Sequence, residues 1–161
     1  MKDSSDYYDE IARGYNELHF AEQKRKAVLI QRELNLKKSD TLLDVGCGTG
    51  KVTELFDCKV TGIDPSTELL KQAKIPVVEG RAESLPFPDN SFDVVISITA
   101  LHHCKDIHKA LREIKRVAKR DIALSILKKA KGFKEIDSEI RKLFTIKKIV
   151  DDPTDVIFIL T

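Results

Sequence analysis

The chain has 161 residues, with 28 Lys and Arg against 26 Asp and Glu for a net charge of +2, long enough for one hydrophobic core and short for two domains. It carries no apolar run of membrane-spanning length and its N-terminus is charged and polar, which predicts a cytoplasmic protein without a membrane partner and a single domain over 1–161. Cys47, Cys58 and Cys104 are an odd set without a Cys-x-x-Cys pair, which argues against a disulfide framework or a self-contained zinc site and predicts no metal.

Tyr7, Tyr8, Ile11, Ala12, Tyr15 and Leu18 recur at helical spacing, so the chain is expected to open with an amphipathic helix capped by Ser5 or Asp6. A second helix is expected around Ala27, Ile30 and Leu34, with Lys24-Arg25-Lys26 read as a solvated basic surface; together they form a helical segment over 1–38 ahead of a sheet core over 39–161. The core begins with the apolar strand Leu42-Leu43-Asp44-Val45, which runs straight into Gly46-Cys47-Gly48-Thr49-Gly50. A short apolar strand of this kind reads as buried and parallel, and glycines after it let the backbone take positive φ and approach a bound molecule. Lys51 to Phe56 is expected to start a helix with its amides toward that molecule. The second strand, Lys59 to Ile63, ends in Asp64, a carboxylate placed to accept both hydroxyls of a ribose. To this point a nicotinamide dinucleotide fits as well as any other nucleoside cofactor.

A helix from Thr67 to Lys74, capped by Ser66, should stop at Ile75-Pro76 because proline disfavours helical backbone in the residue before it. Then comes Val77-Val78-Glu79-Gly80-Arg81-Ala82-Glu83-Ser84-Leu85-Pro86-Phe87-Pro88-Asp89-Asn90-Ser91-Phe92-Asp93, leading into the strand Val94 to Ile98. With the glycine turn and Asp64 before it, this ordered set resembles the class I S-adenosylmethionine-dependent methyltransferases, especially the branch similar to ubiquinone and menaquinone biosynthesis methyltransferases. The resemblance extends from Tyr7 to the last strand, and nicotinamide enzymes lack the middle motif. It implies S-adenosylmethionine as cofactor and S-adenosylhomocysteine as product. It places Asp44, Gly46, Cys47, Gly48 and Gly50 beneath the methionine part, Asp64 on the ribose and Pro65 beside the adenine. Arg81, Ala82 and Glu83 would line the adenine edge, Ser97 would follow at the fourth strand's tip, and Tyr15 would belong to a lid. Many relatives carry Asp where Arg81 stands, accepting a hydrogen bond from the adenine amino group; Arg has no acceptor, which leaves that contact to the Ala82 backbone or Glu83.

Beyond the fourth strand, His102 and His103 stand where an acceptor should approach, and are the candidate catalytic residues, with a packing role as the alternative. Cys104 lacks the Pro-Cys context of cysteine-dependent pyrimidine methyltransferases. The Asn-Pro-Pro-Tyr motif of many adenine and glutamine N-methyltransferases is absent. Ile107, Ala110, Leu111, Ile114, Val117 and Ala118 mark one helix face, and Lys105, Lys109, Arg112, Arg116 and Lys119 a basic stripe opposite it. A fifth strand (Ile122 to Leu127), a helix through Ile136, Ile140 and Leu143, and a closing hairpin of Thr145 to Val150 with Val156 to Leu160 complete the chain. Alternation of strands and helices independently predicts a doubly wound α/β sheet; the resemblance specifies a seven-stranded, Rossmann-like, mostly parallel sheet in order 3-2-1-4-5-7-6 with the last strand antiparallel.

The expected function is therefore S-adenosylmethionine-dependent methyl transfer. Without a sizeable insertion over the later strands, the acceptor is read as RNA or protein, with an activator subunit, and no DNA is expected; small zinc-ribbon-activated enzymes of tRNA and rRNA modification give the precedent within the resemblance. The basic stripe is equally a solvated face or a track for phosphates. A small-molecule methyltransferase with a minimal lid, and a cofactor-binding regulator without turnover, are the alternatives.

Overall fold

The computed structural model describes the backbone of residues 4–161 and the side chains of residues 16–161. Tyr7, Tyr8 and Tyr15 fall outside the described side chains, and the lid expectation with them. Helix α1 spans Ser4–Glu33 without interruption, where two helices were expected. Gly14 is the sole breaker in that stretch, and one glycine costs a helix only about 1 kcal/mol relative to alanine.

The strands are β1 (Thr41–Val45), β2 (Lys59–Asp64), β3 (Val77–Glu79), β4 (Phe92–Ile98), β5 (Ala118–Leu127), β6 (Ile146–Asp151) and β7 (Asp155–Leu160). They form one sheet in order β3-β2-β1-β4-β5-β7-β6, parallel except for β7, which is antiparallel to both β5 and β6. This is the doubly wound order expected. Adjacent residues of the central strands feed opposite faces, as a period of two requires. Leu43, Val95 and Leu124 meet helices α3 (Ile107–Val117) and α4 (Phe133–Leu143) through Leu111, Ile114, Ile136 and Ile140. Leu42, Val94 and Ile96 meet α1 through Ala27, Ile30 and Leu34.

Two crossovers are shorter than expected. Residues 51–56 hold only a single 3-10 turn, Thr53–Leu55, because the chain must re-enter the sheet at Lys59. Helix α2 is one turn, Thr67–Leu70, capped as expected by Ser66, whose hydroxyl accepts from the Leu69 amide at 3.3 Å. Neither crossover leaves a long helix pointing at the glycine turn, so that turn itself must supply the close approach. No helix among the described residues is long and apolar enough to cross a membrane.

Two basic features differ from their sequence reading. Of Lys24-Arg25-Lys26, only Lys24 is exposed; Arg25 is bidentate on Asp152 (2.8 and 3.1 Å), and Lys26 is 2% exposed against Asp155 at 2.9 Å. In the α3 stripe, Arg116 turns inward to Glu113, Asp89 and the carbonyls of Leu85 and Phe87. All its directions of donation are used, so it is a clamp on the 85–89 loop, and its charge is matched locally.

Candidate functional site

The carboxyl ends of β1, β2 and β4 converge on one cavity of about 330 Å³, the position where open α/β sheets hold ligands. The turn after β1 is strapped to β2: the amides of Gly46 and Cys47 both donate to the Ile63 carbonyl, at 2.8 and 3.1 Å. Gly46 has φ +82°, and a Cβ there would lie 2.5 Å from the Ala100 Cβ. Both the backbone angle and the space therefore demand glycine. Cys47 fills the room over Gly62 in β2, where a Cβ would meet its sulfur at 2.5 Å, so its role in the structure is packing.

Asp64 closes the gap between the glycine turn and α2. One carboxylate oxygen accepts from the Gly48 amide at 3.0 Å, the other from the Ser66 amide at 2.8 Å. Each oxygen keeps acceptor capacity toward the cavity that Asp64 lines. Asp44, one strand away, is only 3% exposed and accepts from the Thr53 hydroxyl at 2.7 Å. Burial, and then the nearby charge of Asp64, push its carboxyl up to about 6 against the opposing Thr53 hydrogen bond.

Gly46, Asp64, Pro65, Arg81, Ala82 and Glu83 all line this cavity, together with His103. Asp44, Cys47, Gly48 and Gly50 are not among the residues that line it. Ser97 is fully buried and donates to the Val45 carbonyl at 2.8 Å, joining β4 to β1 beneath the site. The segment after β4 supplies a wall that sequence reasoning missed: Ala100, Leu101, Cys104 and Lys105, with Leu69 opposite from α2. Leu101 and Leu69 carry no chemical signature that distinguishes them from core residues. Thr53 likewise had no local sign of pairing with Asp44.

The two candidate histidines part company. Their rings stack with centroids 3.9 Å apart, yet His103 faces the first cavity and His102 a second one of about 270 Å³, shared with Asp106, His108 and Glu135. Burial, and then the neighbouring His103, lower the His102 pKa from its ordinary value, and its Nδ1 is buried without a hydrogen-bond partner. Cys104 is an inert thiol: burial, then the Glu83 carboxylate, push it up to about 12. No group of three His, Cys, Asp or Glu among the described residues is arranged to hold a metal ion.

The site therefore offers a carboxylate with acceptor capacity toward the cavity, an apolar slot between Leu69 and Leu101, and a glycine turn free of side chains at its base. Those features suit a nucleoside whose polar tail lies along the turn. Comparison with known proteins agrees in kind. Residues 43–126 match the family model described as a methyltransferase domain. An uncharacterized protein of Methanocaldococcus jannaschii is 36% identical, covering 91% of this chain and 65% of its own length. A demethylmenaquinone methyltransferase of Bacillus licheniformis is 32% identical over 70% of this chain and 54% of its own. The ajmaline N-methyltransferase of Rauvolfia serpentina is 35% identical over 56% and 36%. The chain thus spans from about a third to just under two thirds of these relatives. Among solved structures, a SAM-dependent methyltransferase from Aquifex aeolicus superposes with a TM-score of 0.71 at 22% identity, over 83% of this chain and 88% of that one. A chain from the complex of the Haloferax volcanii Trm112 methyltransferase activator with a methyltransferase does so at 0.75 and 17%, over 100% and 98%.

Proposed function

This chain belongs to the methyltransferase domain family, and from that premise we propose that it transfers the methyl group of S-adenosylmethionine to an acceptor presented by a macromolecule or a partner subunit. S-adenosylmethionine supplies a methyl group on a sulfonium, a good leaving group, so the chain's own tasks are binding, alignment and exclusion of water. Asp64 is the ribose acceptor, its carboxylate pre-oriented by the Gly48 and Ser66 amides. Gly46, Gly48 and Gly50 give the methionine part room along the turn, with Asp44 as the buried negative charge beneath it. Pro65 and the 81–83 segment flank the adenine. Leu69, Leu101 and Ala100 exclude water. His103, on the wall of this cavity, is placed to take a proton from an acceptor that must lose one, whereas His102 faces the second cavity.

The observation that carries this reading is the doubly anchored Asp64 beside a positive-φ glycine turn, facing one cavity. Isothermal titration is its test: S-adenosylmethionine and S-adenosylhomocysteine should bind, and Asp64→Ala should weaken both. Preferential binding of NAD, or unchanged affinity in the variant, removes the assignment.

The macromolecular acceptor is supported by the short segments after β4 and β5, and by the likeness across nearly full length to a chain solved in a complex of a methyltransferase with its activator. Internal pairing of Arg116 takes one cation from the α3 stripe and moves weight from RNA toward a protein partner. A small-molecule acceptor is the second reading, favoured by the names of the demethylmenaquinone and ajmaline relatives. A methyl-transfer screen over protein, RNA and metabolite pools, with and without cell extract, separates them. Turnover of a metabolite by the isolated chain overturns the first reading.

A further inference from the structure

On the α1 side of the sheet, a buried ion pair joins opposite ends of the chain. Lys26 is 2% exposed and Asp155 fully buried. The ammonium has three protons, and each has an acceptor: Asp155 Oδ1 at 2.9 Å, Thr99 Oγ1 at 2.8 Å and Gln23 Oε1 at 2.9 Å. The carboxylate is equally saturated. Its Oδ1 also accepts from the Thr154 hydroxyl at 2.9 Å, and its Oδ2 accepts from Thr99 and Ser125, both at 2.7 Å. Replacing such a pair by apolar residues of equal volume is often neutral or stabilising, so the value of the pair lies in the conformation it selects.

That conformation is at Thr99, the residue following β4. Its φ is +52°, a left-handed value that is a true outlier for a β-branched residue. The Thr99 amide is held by the Ser125 carbonyl at 2.9 Å, and its hydroxyl sits between Lys26 and Asp155. Strain of this kind persists only where the surroundings over-determine it. Here it reverses the chain at the strand tip and presses Ala100 onto Gly46, where an added Cβ would come within 2.5 Å of the Ala100 Cβ. From Ala100 the chain runs on through Leu101, His103, Cys104 and Lys105, the wall of the cofactor cavity.

We infer that Lys26 and Asp155 are positioning residues for cofactor binding, acting through the left-handed turn at Thr99 to set the wall over residues 100–105 against the glycine turn. This rests on the cavity being the S-adenosylmethionine site. It also ties the first helix to that wall, since Gln23 and Lys26 lie on α1. A purely structural ion pair would change unfolding alone; a positioning pair changes ligand affinity in molecules that remain folded.

The test is titration with S-adenosylhomocysteine at a temperature where near-UV circular dichroism shows each protein folded. Thr99→Val keeps the β-branched strain and loses the hydroxyl clamp, both the bond accepted from Lys26 and the bond donated to Asp155; it should raise Kd roughly tenfold or more. Lys26→Met should do at least as much. Thr99→Gly, which removes the strain, should stay within a few-fold of the native protein, and adding Lys26→Met to it should cause no further loss of affinity. Native affinity in Thr99→Val, or an equal effect of Lys26→Met in the native protein and in the Thr99→Gly variant, overturns the inference. Thr99→Val remains informative if Lys26→Met fails to fold, because it leaves the ion pair in place. Failure of the native protein to bind S-adenosylhomocysteine would instead remove the cofactor reading itself.

Discussion

Asp44 near the end of β1 and Asp155 at the start of β7 are both carboxylates buried at the same end of one sheet, yet their surroundings drive them in opposite directions. Asp155 is desolvated, but hydrogen bonds from Ser125, Lys26, Thr99 and Thr154 outweigh that and hold its pKa below the ordinary carboxylate value. Asp44 has the Thr53 hydroxyl against burial and the charge of Asp64, and rises to about 6. Burial alone therefore does not say what a buried acid is for. The hydrogen-bond surroundings set the direction: the lone pairs of Asp155 are filled by its own chain, whereas Asp44, among the described residues, has the Thr53 hydroxyl as its one side-chain partner and is left under-compensated.

The largest expected effect lies on the saturated side. Asp155→Ala strands the Lys26 ammonium in the interior and should cost about 3–5 kcal/mol of stability, read from urea denaturation. A loss below about 1 kcal/mol would dissolve the contrast, since exposed pairs behave that way.

The Asp44 side has a smaller effect of opposite sign. Because its folded pKa lies above its unfolded value, the native state holds the extra proton between about pH 4 and pH 6, and stability from this group falls as pH rises through that window. Relative to Asp44→Asn, the native protein should lose about 2–3 kcal/mol between pH 4 and pH 7. Affinity for the cationic cofactor should move the other way, rising as Asp44 ionises through about pH 6 in the native protein and staying flat in the variant. Parallel pH profiles for the two proteins would place the titration elsewhere.

Asp64 is intermediate, with both oxygens anchored yet still open toward the cavity. Asp64→Ala should weaken S-adenosylmethionine by about 1.5–3 kcal/mol for each ribose hydrogen bond lost, and should also lower the melting temperature because the Gly48 and Ser66 amides lose their acceptor. The smallest effect belongs to an exposed counterpart: His108, whose ring nitrogens face Glu139 at 3.0 Å and Glu135 at 2.9 Å. The hydrogen bond to Glu139, then that to Glu135, raise its pKa, so the α3–α4 contact it makes is fully present below about pH 6.5 and is lost as pH rises through the folded value. An NMR titration should place its midpoint above that of a free histidine and show it fall in Glu139→Gln. An unshifted midpoint would mean that solvent cancels the contact.

Six of the strands, the glycine turn and the place of Asp64 were legible in the chain because each is written in a short window, whereas the seventh strand and the strand order came from the family resemblance. Alternating apolar residues mark a strand, glycines mark positive φ, and an acid after a strand marks its tip. The apolar face of α3 was readable for the same reason. The sequence could not tell Arg116 from Arg112, or Lys26 from Lys24: within one helix these differ by about a turn or less, and one of each pair goes inside. Nor could it show that Thr99 would be held left-handed, or that His102 and His103 would face separate cavities. Charge pairing, saturation and the direction of a pKa shift depend on atoms brought together from distant parts of the chain, so the sheet had to be assembled before Lys26 could meet Asp155. Local pattern marked most of the strands and the glycine turn; the tertiary structure decided how long the helices run and which polar side chains are spent inside the protein, because hydrogen-bond saturation is a property of three-dimensional neighbours.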